Sequence, residues 1–280
     1  MTTETTGSGD IARTLELMWG LGERPTRGPK PGLTLDAIVD KGIAVADAEG
    51  LAAVSMRRIA NELGTGTMSL YRYVPGKAEL LDLMLDKVSD PGDWETGPDQ
   101  EEPGWQEALE EMARGYLTLY QEHPWLLRIN QARTVLGPST VRSLDAALYT
   151  LRDMLLTDPE KISVIISVQS LVAGVARMNA DAEEAAEQTG LSHADFWGAQ
   201  EPFLDVAMES GRFPLVAALS EDTFTQEFDH LAFGVQHLLA GLEALMRERE
   251  AAGWRRPDTA SGPRAPSALE QDKDTETDTG

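Results

Sequence analysis

Two short hydroxyl side chains, two tyrosines and an arginine lie within one short stretch, at Thr67, Ser69, Tyr71, Arg72 and Tyr73. Short hydroxyl groups hydrogen-bond phosphates or base edges at close range, and the arginine fork can bind both acceptors of a guanine. Phenol groups suit phosphates, while their ring faces suit the methyl group of thymine. This combination predicts a surface that contacts nucleic acid.

The segment 55–77 is predicted to present these residues on the second helix of a helix-turn-helix. Ser55 is expected to cap the first helix and Thr67 the second, in which Leu70 and Val74 are four residues apart and point inward together. In such a motif the second helix lies in the major groove of DNA. The alternative is a tight helical hairpin with exposed tyrosines, which does not account for tyrosines beside an arginine in the cationic part of the chain.

Further cations flank this motif. Arg57 lies early in the first helix, where it can reach a base or a phosphate, and Lys77 adds its charge to the free N–H groups that begin the next helix. Upstream, residues 24–32 hold three prolines and two glycines and cannot form a helix, and they carry Arg27 and Lys30. This segment is either a basic arm for the minor groove or a flexible linker.

The charge of the chain is unevenly distributed. The protein has 280 residues and a net charge of -23, yet residues 24–77 hold eight basic and five acidic side chains, a local charge of +3. The remainder therefore carries -26. Because salt screens charges beyond about 8–10 Å, a cationic face can bind phosphate while a distant acidic body faces solvent. The acidic body should lower non-specific affinity for DNA.

Composition indicates an all-α protein. The chain has no cysteine, which excludes disulfides and thiolate metal sites, and neither a signal peptide nor a membrane span is apparent, so we expect a cytoplasmic location. Strand signals are absent. Residues 1–10 are expected to be disordered, and residues 11–19 fit a short helix. Further helices are predicted by apolar periodicity at 34–48, 67–74, 77–88, 105–122, 124–131, 139–156, 159–188, 192–210 and 222–250.

These elements predict four regions. Residues 1–32 form a flexible N-terminal extension with the basic arm, and residues 33–88 form a three-helix helix-turn-helix domain. Residues 89–252 form a larger helical domain for ligand binding and dimerisation, and residues 253–280, which are polar and rich in proline and glycine, form a disordered tail.

The stretch 33–88 resembles the DNA-binding domain of the tetracycline-repressor (TetR) family of bacterial transcriptional regulators. The resemblance rests on Ala48-Glu-Gly-Leu51, Ser55-Met-Arg-Arg-Ile-Ala60, Leu63-Gly64, Ser69-Leu-Tyr-Arg-Tyr-Val74, Gly76-Lys77 and Leu80-Leu81. It implies a homodimeric repressor that binds a palindromic operator and leaves it when a small molecule occupies the C-terminal domain. The family's base contacts map onto Arg57, Thr67, Met68, Ser69 and Arg72, and its phosphate contacts map onto Tyr71, Tyr73 and Lys77.

The C-terminal part resembles the ligand domain of the tetracycline-repressor branch through His123-Pro-Trp-Leu, Leu136-Gly-Pro138 and Leu144-Asp-Ala-Ala-Leu148. Tetracycline repressors bind a drug–magnesium chelate through a histidine just before a helix-starting proline. Here the matching stretch is Arg133-Thr-Val-Leu-Gly-Pro138, without a histidine. The sequence therefore argues against tetracycline–magnesium as the effector, and no metal site or cofactor is predicted.

The last long helix has the pattern of a dimerisation helix. Apolar residues from Phe224 to Leu245 recur at 4-3 spacing, and a second stripe of histidines and glycines runs beside them. The helix at 159–188 is apolar nearly all round, which requires burial on two sides. A four-helix bundle from two subunits satisfies both helices, whereas the alternative is that each fills its own core. The predicted interface residues are Val168, Val175, His230, Gly234, His237 and Gly241.

Polar and aromatic residues on otherwise apolar faces predict a pocket for a hydrophobic or drug-like effector. Gln169 and Arg177 lie on one i, i+4 row and are expected to flank one space. The alternative for each such residue is a place in the core or on the surface. The predicted pocket residues are Tyr116, Tyr120, Trp125, Asn130, Gln169 and Arg177.

Two other functional classes are alternatives to a DNA-binding regulator, namely an enzyme and an all-helical protein without DNA function. An enzyme is disfavoured because the four histidines fit no metal-binding spacing and no nucleophile–base motif occurs. An all-helical small-molecule-binding or scaffolding protein without DNA function is the remaining alternative. It predicts that Arg72→Ala and Tyr71→Ala change nothing.

Overall fold

A computed structural model describes residues 4–21, 33–92, 103–131 and 133–255. The predictions for Arg27, Lys30 and the tail beyond residue 255 lie outside the described residues. Almost all of the described secondary structure is helical, as the sequence predicts.

The N-terminal head is a three-helix unit formed by α2 (Leu35–Glu49), α3 (Met56–Glu62) and α4 (Thr67–Leu70). Thr34 caps α2 and Ser55 caps α3, because each side-chain oxygen accepts a hydrogen bond from the backbone N–H three residues on. A 3₁₀ turn at Leu51–Ala53 joins the first two helices. The head is closed by a fully buried apolar core made of Ile38, Ile59, Leu70, Val74 and Leu80.

Helix α4, the second helix of the helix-turn-helix and hence its recognition helix, is shorter than the predicted span of 67–74. Gly66, and not Thr67, is the N-cap residue, and the regular α-helix ends at Leu70. Beyond it, the N–H groups of Tyr73 and Val74 both donate to the carbonyl of Leu70, which gives a tight final turn. Pro75 prevents helical structure from continuing past this turn, because a proline disfavours the helical conformation of the residue before it, Val74.

The body consists of α6 (Trp105–Glu122), α7 (Pro138–Thr150), α8 (Asp158–Thr189) and α12 (His230–Ala251). Helix α6 packs along α8, which in turn packs on α12. Helix α5 (Lys77–Val88) contacts both α2 of the head and α7 of the body, so it links the two.

Several predicted helices differ in the structure. The span predicted at 124–131 is a 3₁₀ helix (Pro124–Arg128) followed by the two-residue strand β2 (Ile129–Asn130). Helix α7 ends at Thr150 instead of 156. The span predicted at 192–210 is divided into α9 (His193–Gly198) and α10 (Glu201–Glu209) because Pro202 lacks an N–H and its ring obstructs a continuous helix. A short α11 (Pro214–Ala217) follows, and α12 begins eight residues after the predicted 222.

The N-terminal segment corrects a further expectation. Residues 4–10 were expected to be disordered, yet strand β1 (Glu4–Thr5) pairs in parallel with β2. Helix α1 (Ile11–Met18) follows, capped by Asp10, and packs on α5. The prediction failed because a two-residue strand leaves no periodic signal, and the backbone hydrogen bonds that hold it come from distant residues.

Candidate nucleic-acid interface and effector cavity

The outer side of α4 forms an exposed face next to α3. Met68 is 77% exposed and Tyr71 44% exposed, and Arg72 is exposed as well, while Leu70 between them is fully buried. Residues 68, 71 and 72 share one side of the helix by their spacing. Thr67 and Ser69 are half-buried at its edges. The structure therefore brings five of the predicted DNA-contacting residues to one short element.

The arginines of the head differ in their partners. The guanidinium of Arg58 forms two ion pairs, with the carboxylate of Glu49 at 2.6 Å and with that of Glu62 at 3.0 Å. These two carboxylates raise the pKa of Arg58. Its neighbour Arg57 is exposed, and within the described part of the chain neither Arg57 nor Arg72 forms an ion pair. Two arginines that are adjacent in sequence therefore differ in their ion pairs. Among the described residues Arg57 has no carboxylate partner and can bind an anion, whereas Arg58 is already paired.

Tyr73 and Lys77 are less accessible than the resemblance implies. Tyr73 is half-buried and packs against the core. The ammonium group of Lys77 is held between the carboxylate of Glu4, at 2.9 Å, and the carbonyl of Leu51, at 3.5 Å. Both residues lie at the end of the motif, where a phosphate would approach the start of α5.

The body holds a partly open cavity of about 890 Å³ between α5, α6, α7 and α8. Three of the predicted pocket residues line it, namely Tyr116, Tyr120 and Gln169. Burial raises the pKa of both phenols, while a hydrogen bond with Gln169 and the charge of Arg177 oppose that rise at Tyr120. Both tyrosines are therefore protonated near neutral pH and can act as hydrogen-bond donors toward a ligand.

The other three predicted pocket residues do not line this cavity. Trp125 is buried, but its indole N–H donates to Asp47 in the head. The guanidinium of Arg177 donates to the carbonyl of Leu127 at 2.6 Å, so the row of Gln169 and Arg177 does not flank one space. Asn130 lies in β2, where its carbonyl accepts hydrogen bonds from the N-terminal segment. Each residue is used by a tertiary contact that spacing along one helix does not reveal.

Sequence reasoning also missed part of the cavity lining. The side contributed by α7 and the segment before it is polar, and His123 closes the end nearest the head. A usable signal was present, because hydroxyl residues lie three apart on α7 among valine and leucine. The missed residues include Gln131, Thr134, Thr140, Ser143, Tyr149 and Arg152.

Two hydrogen-bonded contacts connect the cavity wall to the head and its linker helix. Asp47 at the end of α2 accepts from Nδ1 of His123 and from Nε1 of Trp125, each at 2.7 Å. Asp86 of α5 accepts from the backbone N–H of Thr140 at 2.9 Å and from its hydroxyl at 2.8 Å. His123 and Thr140 both line the cavity. The cavity wall therefore includes one residue that is hydrogen-bonded to the head and one that is hydrogen-bonded to α5.

The predicted dimer residues divide into two groups. Val168 is fully buried in its own protomer, and a Cβ on Gly234 would come within 2.9 Å of Leu171 on α8, so both serve packing within the chain. Val175 is half-buried, and His230, His237 and Gly241 are exposed, with open space around Gly241. Two residues of the expected seam on α12, Val235 and Leu242, are likewise buried inside the protomer.

Helix α8 remains largely uncovered on its other side. Within the described residues it is the one helix long and apolar enough to cross a membrane by length and composition, and only 28% of its most apolar window is buried. Ile166 is 54% exposed and Met178 47% exposed, and Phe233 on α12 is similarly exposed at 52%. The region from α9 to α12 adds further exposed phenylalanines, at Phe196, Phe203, Phe213, Phe224 and Phe228.

Within the four described ranges no group of three or more histidine and carboxylate side chains is arranged to hold a metal ion.

Comparison with known proteins identifies both domains. Residues 38–84 match the family described as bacterial regulatory proteins, tetR family, and residues 97–246 match the tetracyclin repressor-like C-terminal domain. The chain is 57% identical over 247 residues to the HTH-type transcriptional repressor DrrR1 of Streptomyces coeruleorubidus, covering 88% of this chain and 91% of that protein.

Solved structures give the same assignment. The TetR family protein ActR of Streptomyces coelicolor in complex with (S)-DNPA is 30% identical with a TM-score of 0.59, covering 76% of this chain and 98% of that one. ActR in complex with actinorhodin is 28% identical with a TM-score of 0.56, covering 78% and 99%. The chain therefore belongs to the tetR family of bacterial regulatory proteins, and it is a ligand-responsive, DNA-binding transcriptional repressor.

Proposed function

We propose that this repressor works as a homodimer that binds a palindromic operator and dissociates from it when a small molecule binds in the cavity of the body. The observation that carries the proposal is the position of His123, which lines the cavity and hydrogen-bonds Asp47 of the head. One side chain thereby connects the site that senses to the domain that binds DNA.

The DNA contacts follow from the exposed face of the head. Arg72 reads guanine through a bidentate contact, Met68 and Ser69 meet base edges, and Tyr71 binds phosphate. Arg57 supplies a second cation from the neighbouring helix, and Lys77 binds phosphate at the start of α5. Thr67, Tyr73, Arg27 and Lys30 complete the set that the sequence predicts.

The effector is proposed to be a largely apolar molecule with several hydrogen-bonding groups. A volume of about 890 Å³ lies in the upper part of the range of about 300–1,000 Å³ that holds drug-sized ligands. Leu119, Leu144 and Ile165 provide apolar walls, while Tyr116, Tyr120 and Gln169 offer polar groups. ActR, which was solved in complex with (S)-DNPA and with actinorhodin, supports a small-molecule effector for this chain.

The dimer is proposed to bury the uncovered sides of α8 and α12. Support comes from Ile166 and Met178 on α8 and Phe233 on α12, whose side chains are about half exposed, because exposed apolar side chains that lie together mark interaction surfaces. The proposed contacts are Val175, His230, His237 and Gly241, joined by Ile166 and Phe233. A two-fold axis between these helices sets the two recognition helices about 34–36 Å apart, the distance between successive major grooves on one face of DNA.

Release then follows from a change in that distance. A ligand that displaces His123 or Thr140 weakens the hydrogen bonds to Asp47 and Asp86, and those two carboxylates position α2 and α5. The head turns without any change at the base-contacting residues. Because coupling is reciprocal, operator DNA must lower the affinity for the effector by the same factor.

Electrophoretic mobility and fluorescence anisotropy with DNA selected from a random pool test the proposal. We expect a palindromic site bound with two protomers per duplex, and release by a compound that also quenches tryptophan or tyrosine fluorescence. A selected site without two-fold symmetry, bound by one protomer, would contradict the dimeric arrangement.

A further inference from the structure

The N-terminal segment Glu4–Trp19, here called the strap, contacts both α5 and the cavity wall formed by the segment before α7. It contains β1 and α1 and buries two hydroxyl residues, Thr6 at 2% exposure and Thr14 at 0%. Burial of this extent in a short segment outside the head and the body requires specific contacts that hold it.

One side of the strap is bound to the cavity wall. The hydroxyl of Thr6 donates to the carbonyl of Arg133 at 2.7 Å, and the indole N–H of Trp19 donates to the carbonyl of Leu136 at 3.1 Å. These two carbonyls flank the stretch in which Thr134 and Leu136 line the cavity. The strap is therefore attached to a wall that a ligand touches.

The other side of the strap is bound to α5. The N–H of Gly7 donates to Asp82 at 2.9 Å, and the N–H of Asp10 donates to Glu79 at 3.0 Å. Both carboxylates are buried, and a Cβ on Gly9 would overlap Glu79, so the backbone must approach α5 closely here. The second oxygen of Asp82 is buried without a partner in the described residues, which disfavours the docked strap relative to a released one.

The first residue of the strap, Glu4, binds Lys77, which is also the proposed phosphate contact. The carboxylate of Glu4 lies 2.9 Å from the ammonium group of Lys77. A phosphate that approaches Lys77 must displace Glu4 or accept its repulsion. Glu4 and the operator thus compete for one cation.

We propose that the strap is a built-in negative regulator of operator binding, which competes with operator phosphate for Lys77 while anchored on the cavity wall. The inference rests on the proposed role of Lys77 as a phosphate contact. Since Thr6 and Trp19 hold the wall of the cavity, the strap also gives an effector a second connection to α5, besides the one through Asp86.

The test is a double-mutant cycle on the full-length protein, with operator affinity measured across a series of salt concentrations. Glu4→Gln frees Lys77, so we expect tighter binding by on the order of two- to fivefold near 0.1 M salt and a salt dependence steeper by about one counterion. Thr6→Val loosens the anchor without changing charge and is expected to shift affinity in the same direction. In a Lys77→Ala background neither substitution should have an effect.

Glu16→Gln is the matched control, because Glu16 lies on the strap, is exposed and pairs only with Arg13 among the described residues. It removes the same charge and should leave affinity unchanged. An equal gain from Glu16→Gln, or a gain from Glu4→Gln that persists with Lys77→Ala, would overturn the inference in favour of a general charge effect. An unchanged affinity with Glu4→Gln would overturn it as well.

Two measurements keep the outcomes separate. Hydrogen exchange at the Gly7 and Asp10 amides should accelerate in Thr6→Val while circular dichroism stays unchanged, which shows that the strap has loosened in a folded protein. If the wild-type protein enriches no DNA site, the proposed function fails. If it binds a site tightly but the cycle shows no coupling with Lys77, only the role of the strap fails.

Discussion

At the scale of single residues, the arginines of the head show how partners decide function. Arg57, Arg58 and Arg72 carry the same group, and the sequence predicts DNA contacts for Arg57 and Arg72. Glu49 and Glu62 engage Arg58, whereas Arg72 faces solvent from the turn after α4. The pair with Glu62 follows from i,i+4 spacing on α3, but the pair with Glu49 could not be predicted, because Glu49 belongs to another helix.

Arg72→Ala is predicted to weaken binding to the selected operator by about 1–3 kcal/mol and to relax the base preference at one position of each half-site. Arg58→Ala removes the same charge from a group that is already ion-paired, so a much smaller loss is expected. Fluorescence anisotropy titrations with matched and single-base-substituted duplexes measure both effects. Equal losses from the two substitutions would indicate that net charge, and not a base contact, accounts for Arg72.

Gly137 is a second position at which one atom decides the packing. A Cβ there would overlap the carboxylate of Asp86, which accepts hydrogen bonds from the first turn of α7. Gly137→Ala is predicted to lower the free energy of unfolding by about 1–3 kcal/mol, as overpacking usually does. Gly174→Ala in α8, with open space at its Cβ, is the control and should not destabilise the protein in chemical denaturation.

At the scale of elements, helix periodicity predicted the long helices well because one apolar face per helix is a property of local sequence. The bounds of α6 coincide with the predicted span, and those of α5 do too. The failures lie where distant residues decide the structure. Strand β1 exists only because β2 is beside it, and Trp125 was placed in the pocket although Asp47 of the head holds it.

The contact of Trp125 with Asp47 is predicted to carry part of the response to effector. Trp125→Phe keeps the ring and removes the N–H donor, so the release of operator by a compound found in screening should shrink to less than about fivefold, from a typical range of about 5–150-fold. Trp105→Phe at the start of α6 is the control for loss of an indole. Operator affinity measured with and without saturating compound gives both values, and an undiminished release in Trp125→Phe would exclude this route.

The contact between α8 and α12 provides a prediction on pH. Hydrogen bonds from Arg249 lower the pKa of Glu160 to about 2, at 2.6 and 2.9 Å between guanidinium and carboxylate. A carboxyl whose pKa is lowered by folding stabilises the fold above its unfolded pKa, near 4.5, and loses that contribution as pH falls toward 2.

Glu160→Gln should therefore lower stability at neutral pH and flatten the loss of stability between about pH 4.5 and 2, where the variant and the wild type converge. Urea unfolding at a series of pH values measures this difference. Glu243→Gln removes an exposed carboxylate 3.6 Å from Arg247 and is expected to change little. A Glu160→Gln curve parallel to that of the wild type throughout would contradict the prediction.

At the scale of the whole molecule, acidity and DNA binding are compatible because the charges are separated. The head region carries a small positive charge and the rest of the chain a large negative one. One head offers few cations, so a pair of heads is needed for tight binding at physiological salt. In the proposed dimer, the uncovered apolar sides of α8 and α12 pack against those of the partner.

Gly241→Arg is predicted to prevent that pairing, since it places a long charged side chain at an exposed position on α12 with open space in the protomer. Sedimentation equilibrium should change from dimer to monomer, and operator affinity should fall by at least about tenfold. Thermal unfolding of the isolated subunit serves as the control, because nothing within the protomer opposes the new side chain. A variant that remains dimeric would move the interface elsewhere.

The most direct test of the account is the equilibrium binding of the intact protein to its selected duplex, titrated in parallel with wild type and Arg72→Ala at two salt concentrations. We predict that the wild type binds the selected duplex at least about a thousandfold tighter than a scrambled one, and that Arg72→Ala reduces this preference by about 1–3 kcal/mol, a factor of about 5–150, while keeping the salt dependence of phosphate contacts. Equal binding of wild type and variant, or equal binding of selected and scrambled DNA, would contradict the account.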